Sequence, residues 1–121
     1  MSSPRNVVHM PSGRSLIPQA KWCDGFFSRM RGFTFHGPLA EGEGLVLVNK
    51  RDHRVDSSIT MLFCFIDLGV VWVNDAGQVV DKVLAKPWRL TYAPQAAARY
   101  AIESHPAILD QVKIGDQITF E

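Results

Sequence analysis

The chain has 121 residues, 46% of them apolar and 21% charged, the make-up of an ordinary folded domain and not of a disordered or fibrous chain. That length makes one domain the expectation, residues 1–121 with 1–14 a hairpin arm or a loose end, and it can bury a core without staples. Thirteen basic and twelve acidic residues leave a formal charge of +1, so no global field draws the chain to nucleic acid or to an anionic membrane.

In chain order, Asn6 to Met10 read as a short strand, Pro11-Ser12-Gly13 as a turn, and residues 15–17 as the returning arm. Trp22, Phe26, Phe27 and Met30 fall on one helical face, which predicts a helix near residues 22–31 ending at Gly32. A loop rich in glycine and proline follows over residues 36–44, then a buried strand over 45–48 and a charged connection over 49–56. Residues 59–66 and 70–73 are β-branched and aromatic, which suits pleated strands, with Asp67-Leu68-Gly69 as a break or bulge. Asn74-Asp75-Ala76-Gly77 is a strong turn, and residues 78–85 return as a strand. Residues 99–103 alternate, with Tyr100 and Ile102 on one face and Arg99, Ala101 and Glu103 on the other. Ser104 can cap a short helix near 106–112, and residues 117–120 close the chain as a strand. The fold expected is mainly β: a sandwich or distorted barrel with one or two short helices.

The N-terminus carries no apolar stretch of signal-peptide length. The run 59–73 falls short of the roughly 20 apolar residues of a spanning helix, and Asp67 and Gly69 interrupt it. The expectation is a cytoplasmic protein off the membrane. It would be a monomer or a weak homodimer paired through an exposed sheet edge.

Motifs of chemistry are sparse. Cys23 and Cys64 lie 41 residues apart with no CxxC; a disulfide is open to them, but Cys64 in the run MLFCFI suits a reduced, buried thiol. Asp52, His53 and Asp56 are the closest approach to a metal or acid–base cluster, yet the third and fourth ligands are not apparent, and a charged connecting loop explains them as well. Ser57 and Ser58 lie outside any G-x-S-x-G elbow, and no phosphate-binding glycine loop is present. No metal and no cofactor is therefore expected.

Lys86, Trp88 and Arg89 form the best candidate surface. A guanidinium fork beside a large flat ring is the combination enriched at recognition sites, and Pro87 stiffens the approach. Arg31, Arg99 and Asp67 are candidates to join it. The structural alternative has Trp88 buried at an open end of the sheet and Arg89 paired with Asp81.

Three segments resemble a known family. They are SRMRGFTFHGPLAEGEGLVLV (28–48), SSITMLFCFIDLGVVWVNDAGQVVDKVLAKPWR (57–89), and ARYAIES with IGDQITF. Their order is similar to that of the domain of unknown function 192. The resemblance implies a compact, mainly β fold and no particular activity. That family commonly shows a histidine before its central apolar run and a Pro-x-Asp inside it. Here Thr60 stands at the histidine position; depending on register, Asp67 takes the place of the proline or of the aspartate. The departure argues against catalysis. The reading that follows is a non-enzymatic binding or accessory module for a small anionic or polar ligand or a peptide, built on Lys86, Trp88, Arg89, Arg31 and Asp67. The alternative is a small hydrolase or metal-dependent enzyme using His53, Asp56 and Asp67.

Overall fold

The computed structural model describes residues 3–25 and 37–121. Its strands are β1 (Arg5–Met10), β2 (Arg14–Cys23), β3 (Gly44–Val48), β4 (Leu68–Val73), β5 (Val79–Ala85), β6 (Tyr100–Ser104) and β7 (Gln117–Phe120), with a 3-10 helix at Pro106–Asp110. They make one curled, half-barrel sheet in the order β5-β4-β6-β3-β2-β1-β7. Only the β2–β3 pair is parallel.

The length of β2 allows the curl. Its first part pairs with β1, and Lys21, Trp22 and Cys23 pair with β3. The β1–β2 register shifts between Arg5 and Val7, opposite Pro18. A proline has no N–H to give a ladder, so a bulge is where a strand tolerates it. The two outermost strands then meet. The Val79 N–H donates to the Asp116 carbonyl (2.9 Å), the Gly115 N–H to the Val79 carbonyl (2.8 Å), and Gln78 bridges Gln117. Gly77 makes this seam possible: its φ is +87°, and a Cβ there would lie 2.8 Å from the Ile118 carbonyl oxygen.

Each face of the sheet carries a core. The concave face receives side chains from all seven strands, including Val7, Ile17, Val46, Val71, Val79, Ile102 and Ile118, and is plugged by Ile108 and Val112. Burying each such side chain contributes roughly 1.5–3 kcal/mol. Gly69 lets the plug sit close, since a Cβ there would be 2.8 Å from Ile108. The other face presents Leu45, Leu47, Leu68, Val70, Trp72 and Ala101, covered by Ile59, Met61, Cys64 and Tyr92 from the connections. Trp72 ties that cover down by donating its indole N–H to the Ser57 carbonyl (2.7 Å).

The mainly β class is as the sequence predicts, and so is the β4–β5 hairpin: the Asn74 side chain accepts from the Gln78 N–H (2.9 Å). Three expectations are corrected. Trp22 and Cys23 belong to β2 and not to a helix; the rest of that expected helix, 26–31, lies outside the described residues. Residues 59–66 are no strand. Met61 closes a turn with Cys64 (2.9 Å), and Phe63 has φ +60°, so the run throws Ile59, Met61 and Cys64 inward and Leu62, Phe63 and Phe65 outward. The last helix is a single 3-10 turn capped by the His105 ring, because Ser104 is the last residue of β6. Among the described residues no helix is long and apolar enough to cross a membrane.

Candidate functional site

Where β5 ends, the chain turns back over the covered face. The Lys86 N–H donates to the Tyr92 hydroxyl (2.8 Å). The Trp88 N–H donates to the Met61 carbonyl, and the Met61 N–H to the Arg89 carbonyl, both at 2.9 Å. These bonds clamp the 86–89 segment against the 61–66 loop. They also explain why Trp88 is not the buried cap that its apolar bulk suggests. Its φ is +68°, which turns the side chain away from the core, and it is 45% exposed. Its ring meets Phe63 edge-on at 5.1 Å and Phe65 edge-on at 5.2 Å. Phe63 and Phe65 are themselves 44% and 56% exposed.

Charged groups border these rings. Lys86 Nζ lies 3.1 Å from Asp67 Oδ2 with both side chains largely in solvent, a pair worth at most about 1 kcal/mol. The Arg89 guanidinium lies 4.6 Å over the Tyr92 ring. It does not pair with Asp81, whose carboxylate accepts from the Lys82 and Gln95 backbone N–H groups. The structure thus brings Lys86 and Asp67 into contact, with Trp88 and Arg89 on the same returning segment. Arg99 does not join them: it donates to Asp75 (2.7 Å) and to the Asn49 carbonyl (2.8 Å). Arg31 lies outside the described residues.

The alternative trio does not assemble. His53 Nδ1 lies 3.7 Å from Asp56 Oδ1 across one turn. The His53 N–H donates to Ala98, next to the end of β4 where Arg99 meets Val73. Asp67 precedes the start of β4, a strand length of about 17 Å away. Among the described residues no three His, Cys, Asp or Glu side chains are grouped as a metal site would require.

Sequence reasoning missed Glu103. It sits in β6, directly between Val70 of β4 and Leu45 of β3, on the face carrying the covered core. It is 4% exposed, and burial pushes its carboxyl from 4.5 up to about 7. The nearby thiols, Cys23 and Cys64, are both free and buried. Burial, chiefly, raises both of them, and the Glu103 charge adds to the rise. Thiols held neutral in this way are poor nucleophiles. The alternation of 99–103 placed Glu103 beside Ala101; nothing local said that this face would be covered.

A family model, DUF192, described as "Uncharacterized ACR", matches residues 7–120. The chain is similar to a UPF0127 protein of Thermococcus kodakarensis, 31% identical over 116 residues that cover 94% of this chain and 72% of that protein. It is likewise 31% identical over 114 residues to a UPF0127 protein of Pyrococcus horikoshii, covering 93% and 96%. Two crystal structures share the fold at 16% identity. One, a protein of unknown function from Novosphingobium aromaticivorans, has a TM-score of 0.81 over 96% of this chain and 83% of that one. The other, titled a putative transcription regulator, from Sinorhizobium meliloti, has a TM-score of 0.82 over 99% and 96%.

Proposed function

The chain belongs to the DUF192 family, and because that family is uncharacterised we propose, from the geometry of the site, that it is a non-enzymatic binding module for a segment of another polypeptide. The contact surface is Phe63, Phe65 and Trp88 with Lys86, Asp67 and Arg89 at its border. One observation carries this reading. Phe63 and Trp88 are the two non-glycine residues of positive φ among the described residues, and they touch each other on the surface. A bulky residue in that backbone region costs of order 1–3 kcal/mol, and such strain concentrates at functional positions. Here it holds large rings outward in a fixed arrangement, which lowers the entropy that binding would cost. The stacked Arg89 is a ready donor fork for a carboxylate, so the segment expected carries an apolar side chain next to Asp or Glu.

Selection of displayed peptides on the full chain tests this. The expected result is a set of peptides with that pairing, each losing about tenfold or more in affinity for Trp88→Ala or Arg89→Ala. Peptides that bind Trp88→Ala as well as they bind the wild type would overturn the reading, as would a selection that enriches nothing.

A further inference from the structure

The 3-10 plug closes one end of the half-barrel: its Ile108 sits against Gly69, near the start of β4. The turn from Asp75 to Gly77 follows the other end of that strand, a strand length of about 17 Å away. A cleft of about 250 Å³ opens there. Trp22 of β2, Tyr100 of β6 and Phe120 of β7 supply rings to its lining, and Arg5, Asp75 and Gln117 supply polar groups. All three rings are half-buried, so part of each remains accessible. The mouth of a barrel is a favoured place for a small ligand, where an apolar wall meets a few fixed polar groups.

The charges at this mouth do not cancel. Asp75 Oδ1 is paired with Arg99 Nη1 at 2.7 Å, and Arg99 Nε donates to the Asn49 carbonyl. Arg5 has no such partner: among the described residues no carboxylate pairs with it. Its guanidinium lies 4.3 Å over the Trp22 ring. Stacking of that kind fixes the plane of the fork and leaves the N–H groups at its edge ready to donate. The Trp22 indole N–H and the Tyr100 hydroxyl also donate no hydrogen bond among the described residues. No sealed side-chain polar atom there lacks a partner, so both groups open onto accessible space. We propose that this cleft binds a small monocarboxylate that carries a flat ring. One unpaired guanidinium beside a neutralised Asp75 calls for a single negative charge. Two parallel N–H groups match the two oxygens of a carboxylate. Aromatic walls favour a ring set edge-on or offset against them, and a volume below the roughly 300–1,000 Å³ of drug-sized sites keeps the ligand small. The site shares no residue with the Trp88 surface, so Trp88→Ala leaves it intact.

The test is an NMR titration of the 15N-labelled full chain with sodium benzoate. The Trp22 indole N–H resonance should move saturably, while that of Trp72, buried and bonded to the Ser57 carbonyl, stays in place. Benzamide keeps the ring and loses the charge, and should bind about tenfold or more weakly. Cyclohexanecarboxylate keeps the charge and loses the flat ring, and should bind about threefold more weakly. Arg5→Gln should lose about tenfold or more in affinity for benzoate, and Trp88→Ala should lose none. Arg5 is exposed, so its replacement bears on binding and not on the core. An unmoved Trp22 resonance, equal binding of either analogue, or equal binding by Arg5→Gln would overturn the proposal. Should Arg5→Gln not fold, the Arg5 Nε–H resonance of the wild type decides: benzoate must move it, and an unmoved signal overturns the site.

Discussion

Among the described residues, two sets of three aromatic rings in mutual contact are held in opposite ways. Trp22, Tyr100 and Phe120 come from β2, β6 and β7, with centroids 4.7–5.9 Å apart, and are half-buried. Arg5 lies 4.3 Å over Trp22, and Arg99 5.2 Å over Tyr100. Regular strand backbone places these rings, and they pack against the concave core. Phe63, Phe65 and Trp88 come from two loops, and two of the three need left-handed backbone to stand where they do. The first group joins strands; the second is displayed. Similar rings at similar spacing therefore differ in what supports them, and substitutions should separate the two groups.

The largest expected contrast is in stability. Trp22→Ala should destabilise by about 3 kcal/mol, as loss of a packed aromatic does, whereas Trp88→Ala should cost under about 1 kcal/mol. Urea unfolding of both variants measures this; equal losses would erase the distinction between the groups. Of similar size but opposite sign is Glu103→Gln at pH 8. The folded carboxyl titrates near 7 and the unfolded one near 4.5, so between those values the folded state holds the extra proton and stability falls as pH rises. Above pH 7 the full cost is present, about 3 kcal/mol. Glu103→Gln should recover most of it at pH 8 and gain nothing at pH 4. A flat wild-type profile from pH 4.5 to 8 would show that the carboxyl ionises inside the fold without this cost.

A smaller effect probes the displayed group directly. At most positions alanine is better tolerated than glycine. At residue 88 the order should reverse, Trp88→Gly being more stable than Trp88→Ala by about 1 kcal/mol, because the left-handed region costs an L-residue that much. Calorimetric midpoints of the two variants decide it. Smallest of all is Lys86→Ala, expected to change stability by under 0.5 kcal/mol, since its ion pair with Asp67 is in solvent. A larger loss would mean that the border of the surface is part of its scaffold.

The contrast also explains what the sequence could and could not reveal. Turn chemistry is local, so Asn74 to Gly77 announces the β4–β5 hairpin, and alternation is local, so 100–103 reads as a strand. Placing Trp22 required knowing that Val46 lies beside it, a partner 24 residues away that no helical periodicity can weigh. Residues 59–66 fail for a different reason. Their apolar count is that of a core strand, but a left-handed Phe63 sends half of them outward, and nothing in the composition marks a backbone sign. Lys86 and Trp88 were legible as candidates from residue type, and Asp67 from the family resemblance. Glu103 was not, because its interest lies in being covered, and coverage comes from connections distant in sequence.

The seam between β5 and β7 has a consequence for self-association. An open sheet invites a second copy to add a strand at its edge. Here the outermost strands bond to each other through Val79, Gly115 and Asp116. Farther along β5, the Asp81 carboxylate accepts from the Lys82 N–H, and the Lys82 ammonium donates to the Leu109 and Val112 carbonyls. The Tyr92 hydroxyl takes the Lys86 N–H. A rim capped in this way resists templated growth into fibrils along β5.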